Sequence, residues 1–195
     1  FETYQSPKNI PTDVTECLVI PDPLNPRFSY GGGKIIWELL ALTFGRKFFA
    51  KVVVYRPHNF YGPDMGWEHV LPQFVIRMKT LIQETDNEII DFPIQGTGNE
   101  TRAFVFVSDF IDGVKILMDK GEHLNIYNIG TGEKIKIKDL AYKLSKIFKR
   151  KIILKKTALA KGGTKIRVPN INKIKKLGFK SKFNLDKGLR KLLTN

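Results

Sequence analysis

Cysteine is all but absent: Cys17 is the single one in 195 residues. That excludes an internal disulfide framework and fits a reducing cytoplasm. No apolar run reaches the length of a membrane span, and Lys47 and Lys51 bracket the longest candidates. The start, Phe1-Glu-Thr-Tyr, has neither the basic residues nor the apolar core of a secretory signal. It has no initiator Met either, which sets the expectation of a fragment. Acidic residues are scarce late in the chain. Residues 134–195 hold 21 Lys/Arg against 2 Asp/Glu, whereas residues 1–133 hold 12 against 17. A block that basic attracts nucleic acid, an anionic membrane or a phosphorylated ligand. No zinc finger, aromatic RNA-binding motif or base-reading element accompanies it. Most of its lysines fall on the polar positions of amphipathic segments, as on a solvated surface.

What is present suits one sizeable core, or one domain with an appendage: hydrophobic residues make up 42% of the chain. Five prolines between Pro7 and Pro26 keep the first 29 residues irregular. Gly31 to Gly33 lead into a strong helix from Lys34, which Gly45 ends or loosens. Lys51 to Arg56 is a β-branched run read as a buried parallel strand, stopped by Pro57. His58 to Asp64 is the loop at its carboxyl end, where ligands bind in open α/β sheets. The patterning predicts a helix over His69–Leu81, strands over Glu88–Ile94 and Arg102–Val107, and a helix from Asp109 to Met118 with Ser108 as its N-cap. A strand over Leu124–Ile129, a helix over Ile137–Phe148 and a strand over Ile152–Leu154 follow. Helices over Ile171–Leu177 and Leu185–Leu193, the last capped by Asn184, complete the chain. This alternation argues an α/β fold: part of a doubly wound, Rossmann-like sheet lacking its N-terminal half, plus a small α+β lobe.

Tyr30-Gly-Gly-Gly-Lys34 puts a phenol and an ammonium one helical turn apart, able to face one site. Asn25-Pro-Arg-Phe-Ser-Tyr30 with Lys34 resembles the active-site Tyr-x-x-x-Lys of the NAD-dependent epimerase/dehydratase family, the extended branch of the short-chain dehydrogenases. Four further pieces follow in the same order: Arg56-Pro-His-Asn-Phe-Tyr-Gly-Pro63; Gln95-Gly-Thr-Gly98 with Arg102-Ala-Phe104 and Val107-Ser-Asp109; Tyr127-Asn-Ile-Gly-Thr-Gly132; and Lys176-Leu-Gly-Phe179 with Leu185 and Gly188-Leu189. The resemblance spans nearly all of the chain. It implies residues 1–65 as the end of the cofactor domain and 66–195 mainly as the substrate lobe, with 97–125 returning in part to the main sheet.

The resemblance also implies roles. Tyr30 is the base that takes a sugar hydroxyl proton. A free phenol ionises near ~10, so a neighbouring cation such as Lys34 is needed to stabilise the phenolate. Lys34 also anchors the cofactor, NAD or NADP, beside Arg56, Pro57 and Asn59. Asn59, His69, Arg102 and Arg167 are the substrate candidates, the arginines because guanidinium matches diphosphate geometry. The family's Arg-x-Gly-Asp element is replaced here by Ala160-Lys161-Gly162-Gly163, so Lys161 or Arg167 stands in for its clamp. The family's catalytic Ser/Thr falls one position before Phe1, and Glu2 falls where dehydratases and many epimerases carry glutamate.

No Gly-x-x-Gly-x-x-Gly turn is present, so the chain alone is expected to bind NAD poorly and to turn nothing over. The implied substrate is a nucleoside diphosphate sugar, used for surface polysaccharide. Epimerase, dehydratase and reductase all fit. A missing N-terminal half or companion chain is the expected partner, with a homodimer through the Tyr30 helix also allowed. A noncatalytic remnant lobe is the second reading, and a basic nucleic-acid binder the third.

Overall fold

In a computed structural model the described residues are 2–66, 68–158 and 164–193. Residues 2–25 run without helix or strand but are tied down at both ends. Thr12 donates its N–H to Val168 and accepts from Asn170, at 2.8 and 2.7 Å, and Val19 donates to Thr3. A 3₁₀ turn, Pro26–Phe28, then opens helix α1 (Ser29–Phe48); the Asn25 side chain accepts from the Arg27 N–H and caps the turn.

Helix α1 does not stop at Gly45. A Cβ there would lie 3.0–3.1 Å from Val52 and Leu124, so this glycine marks a close approach rather than an end. Ile36, Leu40, Phe44 and Phe48, four residues apart, form a stripe that is exposed together with Trp37.

Strand β1 (Val53–Pro57) pairs in parallel with β6 (Asn125–Ile129), and helix α3 (Val107–Lys120) packs against both. The parallel pairing agrees with the sequence pattern, but full burial does not hold: Val53 and Val54 are half-buried and Tyr55 is exposed. Among the described strands, β6 is the single neighbour of β1. Pro57 lies inside β1 and not after it.

The run Arg102–Val107 is not one strand. Phe104 divides it into β4 (Thr101–Ala103) and β5 (Val105–Phe106), which serve different sheets. The latter pairs with β2 (Phe60–Tyr61), two residues inside the segment read as a loop. Helix α3 starts at Val107, so Ser108 sits in its first turn and Phe106 takes the cap position, with no side-chain cap bond. Strand β4 pairs antiparallel with β7 (Lys134–Lys136) and parallel with β9 (Ile166–Arg167). Sequence patterning missed β2, β7 and β9, all of two or three residues, too short for a period-2 alternation to register.

Strands β3 (Ile89–Gln95) and β8 (Lys151–Thr157) form a seven-residue parallel ladder. Ile90, Phe92 and Ile94 are buried, and Phe92 and Ile94 join Phe74 and Met78 of helix α2 (Val70–Glu84) and Leu140 and Leu144 of helix α4 (Ile137–Ile147) in one core cluster. On the outer face Lys151 pairs with Glu88 at 2.5 Å and Lys155 with Asp91 at 3.2 Å, so basic residues from late in the chain meet acids from earlier in it. Helices α5 (Asn172–Lys176) and α6 (Leu185–Leu193) close the chain, and Asn184 Oδ1 accepts from the Lys187 N–H as an N-cap should. No helix of the described residues is long and apolar enough to cross a membrane.

Two cores result: the cluster under β3, and a second around Tyr127, Ile129, Ile174 and Phe179. In the first, α6 reaches Tyr61 because Gly188 has no side chain. A Cβ there would sit 1.9 Å from the hydroxyl of the buried Tyr61 and 2.8 Å from its ring, so the ring would have to shift. Gly188→Ala is therefore expected to cost at least the ~1–3 kcal/mol of core overpacking, read as a lower urea midpoint. An unchanged midpoint would show that α6 is not seated there.

Candidate functional site

Four of the residues singled out from sequence, far apart in the chain, line one cavity of about 270 Å³: Asn59, His69, Arg102 and Arg167, joined by Glu2 and Phe104. The β-ladder explains the assembly. In the parallel pair β4–β9, Arg102 and Arg167 are register partners, and residues opposed in this way project on one face. Asn59 is held at a positive φ of 38° between β1 and β2. Its side-chain amide donates to the Ala103 carbonyl at 3.0 Å, while its own carbonyl accepts from Val105. Its demonstrable work is thus to fasten the loop to β4 and β5 at the rim of the cavity. His69 occupies the N-cap position of α2, exposed and without a cap bond.

Two arginines, Arg102 and Arg167, and two acids, Glu2 and Glu68, line the cavity. Arg102 donates to the carbonyls of Thr101, Thr164 and Lys165, all neutral. Burial first, and then the neighbouring Arg167, lowers its pKa to about 10. Arg167 forms an ion pair with Glu2 and donates to the Thr164 hydroxyl. Two guanidinium groups thus stand side by side, Arg167 on the Glu2 carboxylate and Arg102 on neutral carbonyls, an arrangement able to meet an anionic ligand.

Tyr30 and Lys34 lie one turn apart at the start of α1, both exposed, with the ammonium 5.3 Å from the ring centre. They do not line the cavity. The link is the first turn of α1: a Cβ on Gly31 would lie 2.8 Å from the Glu2 carbonyl oxygen, so the helix start abuts the residue whose carboxylate meets Arg167.

Arg56, read from sequence as a cofactor contact, is buried and committed elsewhere. Its Nε and Nη2 grip Glu38 of α1 at 2.9 and 2.5 Å, and Nη1 donates to the Tyr4 hydroxyl and the Val14 carbonyl. Pro57 is exposed at the end of β1.

The turn Gly96–Gly98 is closed from within. Glu100 accepts from the N–H groups of Thr97 and Gly98 and from the Thr97 hydroxyl. Burial raises the Glu100 pKa, but these bonds outweigh it and hold it below the usual range. A carboxylate already occupies the turn, so it is no cradle for a phosphate. The Ala160–Gly163 stretch, Lys161 included, lies outside the described residues.

Sequence reading missed the buried polar chain beside Arg56. Asn128 donates through Nδ2 to the carbonyls of Thr12 and Asn170, so its Oδ1 is the acceptor for the Tyr4 hydroxyl at 2.9 Å and for His58 Nε2 at 3.0 Å. One signal was available: Tyr30, Lys34 and Glu38 repeat every four residues, which aligns Glu38 with that tyrosine and lysine on α1.

Two stability experiments test this polar core. Arg56→Met leaves Glu38 buried without its cation and is expected to cost about 3–5 kcal/mol in urea unfolding; a cost under ~1 kcal/mol would mean that the pair does not fix α1. Burial drives the His58 pKa well below its ordinary 6.5. The unfolded chain therefore takes up this proton more readily, and stability is intact above about pH 6.5 and declines as the pH falls below it. His58→Gln should flatten that decline in urea titrations between about pH 6.5 and 5, and an undiminished slope would assign it to other groups.

A family model described as the NAD dependent epimerase/dehydratase family matches residues 2–130. A trifunctional UDP-glucose 4,6-dehydratase/UDP-4-keto-6-deoxy-D-glucose 3,5-epimerase/UDP-4-keto-L-rhamnose-reductase of Arabidopsis thaliana is 28% identical over 182 residues, which is 88% of this chain and 24% of that protein. A UDP-glucose 4-epimerase of Thermotoga maritima, solved with UDP-glucose, is 26% identical with a TM-score of 0.83, covering 97% of this chain and 58% of the other. A dTDP-glucose 4,6-dehydratase of Streptomyces venezuelae, solved with NAD bound, shares the fold at a TM-score of 0.82 and 23% identity, covering 99% and 56%. The chain thus spans a quarter to under two thirds of the length of these relatives.

Proposed function

Because the chain belongs to the NAD dependent epimerase/dehydratase family, we propose that it supplies the tyrosine–lysine helix and the substrate lobe for chemistry on a nucleoside diphosphate sugar. The observation that carries this reading is the Arg102–Arg167 pair, two adjacent guanidinium groups at the wall of a cavity, of which Arg167 holds the Glu2 carboxylate. Guanidinium forks match diphosphate oxygens in geometry and charge. Asn59 and His69, at the rim, orient the remainder of the ligand.

Tyr30 takes the proton from a sugar hydroxyl, and Lys34 stabilises the phenolate from one turn away. NAD, when bound, accepts the hydride from the carbon that bears that hydroxyl. Tyr30 and Lys34 fit a cofactor edge because they stand exposed at the start of α1. The described residues offer no glycine-rich cradle for the dinucleotide phosphates, since the Gly96–Gly98 turn is filled by Glu100. Those phosphates belong to a glycine-rich half in the same polypeptide or in a companion chain, and residues 1–65 are the part that would meet it. The exposed apolar stripe of α1 and the open flank of β1 support such a covering body; a second copy paired through α1 is the other occupant. Without that half, the chain binds the sugar nucleotide but does not turn it over. The reaction is an epimerisation or a 4,6-dehydration, both of which begin with this hydride and proton removal.

Calorimetric titration with UDP-glucose and dTDP-glucose tests the reading. The chain should bind at least one of them, and Arg102→Ala should weaken binding about ten- to hundredfold, the loss of a charge-assisted bond worth about 1.5–3 kcal/mol. Tyr30→Phe should leave binding intact and abolish NADH formation once the glycine-rich half of a relative is supplied. Absence of binding to either nucleotide sugar would leave a noncatalytic lobe as the better description.

A further inference from the structure

Glu2 occupies an unusual position for an acid. Its carboxylate lies on Arg167, at the wall of a cavity that Arg102 and Glu68 also line. Its backbone has no freedom to withdraw: the Glu2 carbonyl accepts from Gln5 Nε2, and the glycine of the first α1 turn presses on the same oxygen. Its side chain is 31% exposed and that of Arg167 13%, so the pair faces the cavity from a largely desolvated wall. Arg102, the second cation, has neutral carbonyls as hydrogen-bond partners. Glu68 lines the cavity as well, so that two arginines face two carboxylates there.

That balance bears on which diphosphates are accepted. In a nucleotide sugar both phosphates are diesters of the diphosphate chain, with one negative charge each. In a free nucleoside diphosphate the terminal phosphate ionises again near pH ~6 and brings about one further charge at neutral pH. Arg102 and Arg167 attract both species. A fixed carboxylate beside them repels the extra charge of the second, and a low-dielectric wall strengthens the repulsion.

We propose that Glu2 is a specificity-determining residue, whose carboxylate on Arg167 makes the cavity prefer the diphosphate diester of a nucleotide sugar over the free nucleoside diphosphate. The inference rests on the nucleotide-sugar reading of the cavity. It gives Glu2 an electrostatic task that requires no turnover, so it can be measured on this chain as it stands. It also explains why an acid is placed against an anion site: rejection of the more highly charged competitor is built by repulsion, not by additional contacts.

The experiment is calorimetric titration of the chain and of Glu2→Gln with UDP-glucose and UDP, repeated with dTDP-glucose and dTDP. In Glu2→Gln the free diphosphate should bind about tenfold more tightly, with a smaller gain for the sugar conjugate, so that the preference narrows. Glu2→Asp, which keeps the charge, should keep the preference. If Glu2→Gln does not give the circular dichroism of the folded chain, Glu2→Ala takes its place with the same expectation. An unchanged preference ratio in the neutral variant overturns the inference, as does an equal loss of preference in Glu2→Asp, which would assign the effect to shape. Failure of the unaltered chain to bind any of the four ligands instead removes the nucleotide-sugar reading on which the inference stands.

Discussion

Three separated stretches of chain meet at the guanidinium of Arg56. It holds Glu38 of α1 by two bonds, the Tyr4 hydroxyl and Val14 carbonyl of the irregular N-terminal stretch by two more, and it stands on β1. Tyr4 passes the connection to Asn128 on β6, which also fastens Thr12 and Asn170. Burial pushes the Tyr4 phenol up, so it stays protonated and can donate to Asn128 while accepting from Arg56. A residue range rich in proline, with no helix or strand before Pro26, would otherwise have little reason to adopt one course. The same contact fixes the rotation of α1 about its own axis, and with it the direction in which Tyr30 and Lys34 face.

Helix α1 serves two unlike surfaces. Gly31, Glu38 and Gly45, seven residues apart, form its inner line, where two glycines admit close backbone approach and one carboxylate takes the cation of β1. Ile36, Leu40, Phe44 and Phe48 form an outer line that no described residue covers enough to bury. In sequence these two lines merge into one continuous apolar run, which is why the helix reads as hydrophobic on more than one side.

Long elements were legible before any coordinates. The helices and strands with a sustained 3.6- or 2-residue period fall where the pattern puts them, within a few residues, and the family resemblance agrees with the fold and the family match. The errors share one cause. Val105–Phe106 and Ile166–Arg167 are held by partners tens of residues away and carry no local signature; Phe104 divides a run that looks uniform because the two sheets it feeds are invisible in one dimension. The site was partly legible for the same reason. Residue types nominated Asn59, His69, Arg102 and Arg167, and the register brought them to one cavity. Arg56 carried the same chemical label as Arg102, and its opposite use, internal and structural, depends on Glu38 lying across from it. Glu100 was overlooked because its role is to fill a turn from the inside.

The pairing of residue 102 with residue 167 has a thermodynamic corollary. The two arginines are neighbours through a ladder of two residue pairs, and the acid paired with Arg167 is Glu2, far from both in sequence. No denatured conformation holds these three groups together, so any anion that recognises them binds the folded chain alone. Each increment of occupancy therefore adds to folding free energy by mass action. Such an anion would act as a third strut between the N-terminal stretch and the C-terminal third, and the melting temperature of the chain would then report how full its cavity is.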